Sequence, residues 1–246
     1  MKAESIDISK KILKAVGKTN AELNLIKEGD KVVLGLSGGK DSLMLAHILK
    51  RMTRHTPFKF EFKAVTVSYG MGENFDFLKE HTEKYEIPFE VYETQIFDIA
   101  QDKIRKNSSY CSFFSRMRRG ALYSATEKLG FNKLALGHHL DDAVESFFMN
   151  MLYNSSMRSL PPIYTAGNGL EVIRPLIKVR ERQLLDGALK NQLPIVGDEC
   201  PSMRFDVKMP YARENVKKLL GGMEEQFPDM FKSIDRAFGN FHLDSF

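Results

Sequence analysis

The sequence predicts an α/β protein built on a doubly wound parallel sheet, with helical segments flanking it at both ends of the chain. Three observations carry that prediction. Short apolar runs of strand length alternate with longer stretches of helical periodicity, the pattern of parallel strands joined by right-handed crossovers. Two strand-to-helix junctions, at 37–42 and 136–142, combine glycine with polar and charged residues, and an open sheet places its ligands at such junctions. The 246 residues, 43% of them apolar, suffice for one large α/β domain with a substantial core.

Along the chain, Ile8, Ile12, Ala15 and Val16 share one face of a helix over 6–25. A turn at Glu28-Gly29-Asp30 leads into a first strand at 31–36. After the glycine loop, a stretch rich in Leu, Met and Ala at 42–52 reads as helix. A second strand at 60–67 ends at Tyr69-Gly70, a helix over 75–85 stops before Pro88, and 89–92 fits a third strand. A long helix at 112–129 closes at Gly130; a short strand at 133–137 and a helix at 141–152 follow. Beyond Ile173-Arg174-Pro175-Leu176 the periodicity is helical again, at 181–190, 211–220 and 226–238. The expected division is an N-terminal helical segment at 1–28, an α/β nucleotide-binding domain at 29–180, and a C-terminal helical segment at 181–246 packed on that domain.

Composition narrows the function classes. No apolar run approaches the length of a membrane span, and the N-terminus lacks the apolar core of a signal peptide, so a cytoplasmic location without a membrane partner is expected. Two cysteines, Cys111 and Cys200, exclude a disulfide framework. The net charge of +4 permits a nucleic-acid partner without demanding one. Basic residues cluster at Arg116, Arg118 and Arg119 and at Lys178, Arg180 and Arg182, with Arg158 and Arg174 between them. Each cluster is either a solvated face or a set of phosphate contacts.

The loop Ser37-Gly38-Gly39-Lys40-Asp41-Ser42 has the composition of a phosphate cradle. Paired glycines let the backbone turn sharply so that its N–H groups converge on oxygens, and the following helix points its positive end at the same anion. Lys40 supplies a mobile charge and Ser37 and Ser42 supply hydroxyls. Asp41 either holds Mg²⁺ or caps the helix. The four-residue spacer and the Gly-Lys-Ser/Thr ending of a Walker loop are missing. The loop resembles that of the PP-loop ATP pyrophosphatases, a likeness that implies cleavage of ATP to AMP and pyrophosphate through an adenylated intermediate.

The second junction, Leu136-Gly137-His138-His139-Leu140-Asp141-Asp142, also follows a strand and opens a helix. Gly137 offers close approach to a nucleotide, and Asp141 or Asp142 offers a cap or a Mg²⁺ ligand. His138 and His139 are either ligand contacts or hydrogen-bonded structural residues; the absence of His-Glu-x-x-His excludes a zinc protease. Arg174 is a candidate contact for phosphate or pyrophosphate, since a guanidinium suits the charge on a leaving pyrophosphate.

Taken together, 24–42, 111–120, 136–142, Pro161-Pro162 and 173–176 resemble the tRNA 2-thiocytidine synthetase family over most of the chain, least in the tail 239–246. The lysidine-forming tRNA ligases look close to that family as well. The resemblance implies ATP-dependent activation of the C2 oxygen of a cytidine in tRNA and its replacement by sulfur. It implies ATP and Mg²⁺ as cofactors, tRNA as partner on Arg116, Arg118 and Arg119, and a sulfur donor such as a cysteine desulfurase. A homodimer is one assembly to test. Residues assigned to the chemistry are Cys111, Cys200 and Asp142. ATP is assigned to 37–42 with Gly137, His138 and Arg174.

The cysteines depart from the family pattern. The family has Cys-x-x-Cys before an arginine-rich helix, and here Phe114 stands in the second slot after Cys111; a later pair is reduced to Cys200, with Met203 in the other slot. Family members hold a [4Fe–4S] cluster on three cysteines, and two thiolates are fewer than such clusters ordinarily use. Three readings follow. Cys111 and Cys200 carry sulfur as a persulfide relay, for which two-cysteine tRNA 2-thiouridine synthetases are the precedent by resemblance; or Asp198 or Glu199 completes a cluster; or both thiols are inert. Outside sulfur chemistry, an adenylating ligase or amidotransferase with a nitrogen nucleophile, or a non-catalytic nucleotide-binding relative, would fit the same loop.

Overall fold

The computed structural model describes residues 4–103, 110–195 and 211–240. Helix α1 (Lys10–Leu23) precedes strand β1 (Lys31–Gly35), and α2 (Lys40–His55) leads to β2 (Glu61–Val67). Then come α3 (Asp76–Lys84), β3 (Phe89–Tyr92), α4 (Ile96–Lys103), α5 (Tyr110–Lys128), β4 (Lys133–Ala135) and α6 (Leu140–Asn154). A hairpin of β5 (Ile163–Thr165) and β6 (Glu171–Ile173) is followed by α7 (Glu181–Lys190), α8 (Tyr211–Gln226) and α9 (Met230–Phe238).

The strands form one sheet in the order β3-β2-β1-β4-β6-β5. All pairs are parallel except β5 with β6. The expected doubly wound parallel sheet is present, with one antiparallel strand, β5, added at its edge. The hairpin of β5 and β6 was not anticipated, because three-residue strands are too short to show an alternation, and the short helix α4 was not anticipated either. The order reverses between β1 and β4, and the two loops singled out in the sequence leave the carboxyl ends of those two strands.

Side-chain alternation on β1 shows how the layers form. Val32 and Leu34 face a cluster with Ile12 of α1, Leu45 and Leu49 of α2 and Leu184 of α7. Val33 faces the opposite cluster, with Ile96 of α4 and Phe114 and Leu122 of α5. A third cluster joins Leu140 and Val144 of α6 to Val216 and Leu220 of α8 and Phe231 of α9. The C-terminal helices thus dock on the helix that begins at the second loop. Among the described residues no helix is long and apolar enough to cross a membrane.

At the other end of the sheet Lys133 is buried, 2% exposed, and bonds Asp30 at 3.0 Å, Glu171 at 3.1 Å and the Leu25 carbonyl at 2.8 Å. This ammonium ties β1, β4 and β6 at their amino ends. Lys133→Met should lower stability by about 3 kcal/mol, because it leaves the Asp30 carboxylate buried without its cation; urea denaturation measures this.

Between α2 and α3, His47 and His81 share a buried Nε2–Nε2 hydrogen bond of 2.9 Å, with Tyr85 edge-on to His47. Burial, assisted by His81, pushes His47 down to about 3. His47 therefore stays neutral in the fold while the unfolded chain takes up a proton below about pH 6.5. Its contribution to stability is complete above that pH and is lost as pH falls from there toward 3. A His47→Asn variant should show a shallower fall in stability across that window by chemical denaturation.

Candidate active site

The glycine loop is held by its own hydroxyls. Gly38 has φ +80°, a conformation that costs a residue with a Cβ roughly 1–2 kcal/mol. Ser42 Oγ accepts from the Ser37 amide at 3.1 Å, contacts Ser37 Oγ at 3.0 Å and donates to the Gly39 carbonyl at 3.0 Å. Gly39 is the residue before α2 and caps it with no side-chain bond. Asp41 is therefore not the cap; it lies within the first turn, with its Oδ1 buried and without a hydrogen-bond partner. Burial pushes its carboxyl up, against the pull of His139 and Lys40.

The second loop closes onto the first. A Cβ on Gly137 would lie 3.2 Å from the Ser42 amide nitrogen and 3.4 Å from the Asp41 carbonyl carbon. Glycine at 137 lets two backbones touch where a Cβ would be tightly crowded. His139 caps α6: its Nδ1 accepts from the Asp142 amide at 3.3 Å, and Asp142 Oδ2 accepts from the His139 amide at 3.0 Å. Asp142 Oδ1 accepts from Arg213 of α8. Both oxygens of Asp142 are thus engaged, as cap and ion pair, and the orphaned Asp41 Oδ1 is the freer oxygen for a metal. Asp141 turns away from the cleft and accepts from the first amide of α7, Glu181, at 2.7 Å and from Arg180 at 3.1 Å.

Between these loops and α3 lies a cavity of about 550 Å³. Its walls include Ser37, Lys40, Asp41 and Gly137 with His138 at one end, and Val67, Tyr69, Phe75 and Leu78 at the other. A polar end beside an apolar end suits a phosphate-bearing ligand with a flat ring. Burial, with the Arg174 charge beside it, lowers His138 to about 4, so its ring is neutral at neutral pH and its Nδ1 has no partner.

The cations divide into two kinds. Lys40 Nζ is paired, with Asp41 at 3.1 Å and with Glu181 of α7 at 2.8 Å. Although burial works against its charge, those carboxylates raise its pKa. Arg174, 5% exposed, donates to the Pro161 carbonyl at 2.5 Å and lies over the Tyr164 ring at 5.1 Å, with its Nε unpartnered. Among the described residues no carboxylate pairs with it. Tyr164 also bonds Tyr123, whose hydroxyl burial and that bond push up to about 12.

Arg118 lines the cavity, whereas Arg116 and Arg119 are exposed on α5. Cys111 is the second residue of α5; Cys200, Asp198, Glu199 and Met203 lie outside the described residues. Phe114, in the slot of the second cysteine, is 1% exposed and packs edge-on to Tyr69 and Phe113. Sequence reasoning missed Glu181, Arg213 and Lys217. The His-x-x-Asp spacing at 139–142 could have signalled the cap, but nothing local signals a partner 141 residues from Lys40.

Fold and site together define a nucleotide-binding α/β protein with a non-Walker phosphate loop at the switch point of its sheet. The PP-loop domain model matches residues 6–218, and the chain belongs to that family. A tRNA-cytidine(32) 2-sulfurtransferase of Geobacter sulfurreducens is 40% identical over 94% of this chain and 90% of its own length. One from Syntrophotalea carbinolica is 38% identical over 94% and 89%. Among solved structures, the U34-tRNA thiolase NcsA from Methanococcus maripaludis with its [4Fe-4S] cluster superposes with a TM-score of 0.76 at 25% identity, covering 94% of this chain and 77% of that one. An NH3-dependent NAD synthetase from Campylobacter jejuni shares the fold, with a TM-score of 0.53 at 17% identity over 95% and 96% of the two chains.

Gly137→Ala should force the two loops apart. An overpacked backbone contact costs about 1–3 kcal/mol, and the displaced loop should raise the Kd for ATP about tenfold, measured by calorimetry alongside thermal unfolding.

Proposed function

We propose that this chain is an ATP-dependent tRNA thiolation enzyme of the 2-thiocytidine type. The observation that carries this is the likeness along nearly the whole chain to tRNA-cytidine 2-sulfurtransferases; the two facing loops supply the geometry. ATP would lie with its phosphates on Ser37–Ser42 and its ring toward Val67 and Phe75. Lys40 and Arg174 would take the charge that builds on pyrophosphate as it leaves. The unpartnered, buried Asp41 Oδ1 fits a hard cation; Mg²⁺ held there would neutralise the polyphosphate. The cytidine C2 oxygen attacks the α-phosphorus, pyrophosphate departs, and sulfur then displaces AMP from the activated carbon.

The two cysteines do not meet the donor set of a [4Fe–4S] cluster, whose usual ligands are thiolates. Phe114, fixed in the core, occupies a position from which a third would come. Sulfur arrives instead as a persulfide on Cys111 or Cys200, delivered by a donor such as a cysteine desulfurase. Its terminal sulfur attacks the activated carbon; the other thiolate then breaks the S–S bond, leaving thiolated tRNA and a Cys111–Cys200 disulfide for an external thiol to reduce. Arg118, at the cavity rim, together with Arg116 and Arg119 would guide the tRNA backbone.

Cys111→Ser and Cys200→Ser should each keep ATP-dependent pyrophosphate release in the presence of tRNA and abolish 2-thiocytidine formation. Anaerobically purified protein should carry no stoichiometric iron or acid-labile sulfide. A full cluster, or thiolation that survives either substitution, would overturn the relay.

A further inference from the structure

Glu181 touches neither of the two loops in sequence, yet its carboxylate bridges two lysines. Oε1 accepts from Lys40 Nζ at 2.8 Å and Oε2 from Lys217 Nζ of α8 at 3.1 Å. Glu181 is itself fixed: it is the first residue of α7, and its amide donates to Asp141 Oδ2 at 2.7 Å. Asp141 is the second residue of α6, the helix that opens at the loop pressed against Ser42. A lysine on a four-carbon stem has no preferred direction of its own. At the start of α2 Lys40 would otherwise swing into solvent, but its side chain is only 20% exposed, held between Glu181 and Asp41. An ammonium has three donors; two are spent on these carboxylates, and the third remains for the cavity that Lys40 lines.

We propose that Glu181 is the positioning residue for Lys40, fixing the ammonium so that its remaining donor meets the departing pyrophosphate, with Lys217 holding the far oxygen of the same carboxylate. This rests on the ATP-cleaving reading of the cavity. A pre-set charge acts most in the transition state, where the leaving group gains charge. Loss of Glu181 should therefore fall on turnover more than on ATP binding. Because the carboxylate acts only through Lys40, its loss should have no further effect once Lys40 is gone.

The test has two arms on the full chain. In nucleotide-free protein, acylation of Lys40 by an amine-reactive ester is followed by mass spectrometry; Glu181→Ala should raise that rate about fivefold and Glu181→Gln, which still accepts from Lys40, less than twofold. In tRNA-dependent pyrophosphate release, Glu181→Ala should lower kcat about tenfold with the KM for ATP within about threefold, Glu181→Gln should recover most of it, and Lys40→Ala with and without Glu181→Ala should be equal. If the alanine variant does not fold, Glu181→Ser, too short to reach Lys40, replaces it. An unchanged Lys40 acylation rate, equal impairment by alanine and glutamine, or an undiminished effect in the Lys40→Ala background would each overturn the assignment. Wild-type protein that releases no pyrophosphate would count instead against the ATP-cleaving reading, while the acylation arm still decides whether Glu181 fixes Lys40.

Discussion

The contact on which the site depends is between two stretches of backbone. Gly137 approaches the first turn of α2 so closely that even a methyl group would meet the Ser42 amide. That approach is what brings the loop after β1 and the loop after β4 to a single cleft. It also brings His139 Nε2 to 3.7 Å from Asp41 Oδ2 across the two loops. A sheet whose order reverses between β1 and β4 opens a crevice there in any case. Glycine at 137 lets the two loops close on each other, and residues of both line one cavity.

Charge is distributed around this contact in a consistent way. Carboxylates at the start of α6 and α7 hold cations from α8: Arg213 pairs with Asp142 and with Glu145 at 2.8 Å, and Lys217 pairs with Glu181. Arg180 completes the set, binding Asp141 and both oxygens of Glu224 and lying 3.5 Å from the centre of the Phe231 ring. The Arg180 pairs are partly buried and so are screened less by salt than the more exposed pairs of Arg213 and Lys217. They tie the C-terminal helices to the helices that carry the site. Arg174, by contrast, is buried with a carbonyl and an aromatic face for company. An isolated guanidinium in that setting is costly unless an anion shares the site, which favours its use as a contact for phosphate.

Much of the fold was legible because β1 and β2 are long enough to show their apolar runs, and because glycine punctuates the turns after β1, β2 and β4. Strand 89–92 and helix 181–190 coincide with the observed elements. The hairpin of β5 and β6 was not legible: each strand has three residues, and tertiary pairing with β4 decides its conformation. In the site, the glycine loop was legible from its composition together with its place between an apolar strand and a helix. For Asp142 the sequence left two readings open, helix cap or metal ligand. A carboxylate beside histidine looks like a metal ligand in sequence, and only the cap with His139 and the pair with Arg213 show where its oxygens go. Glu181 was invisible for a different reason, because its partner Lys40 is joined to it by the fold and by nothing in the local sequence.

The most direct measurement is nucleoside mass spectrometry of bulk tRNA from cells lacking this chain and from the same cells supplied with it. The account predicts that 2-thiocytidine disappears on deletion, returns with the wild-type protein, and does not return with Lys40→Ala. Unchanged 2-thiocytidine in the deleted cells would contradict it.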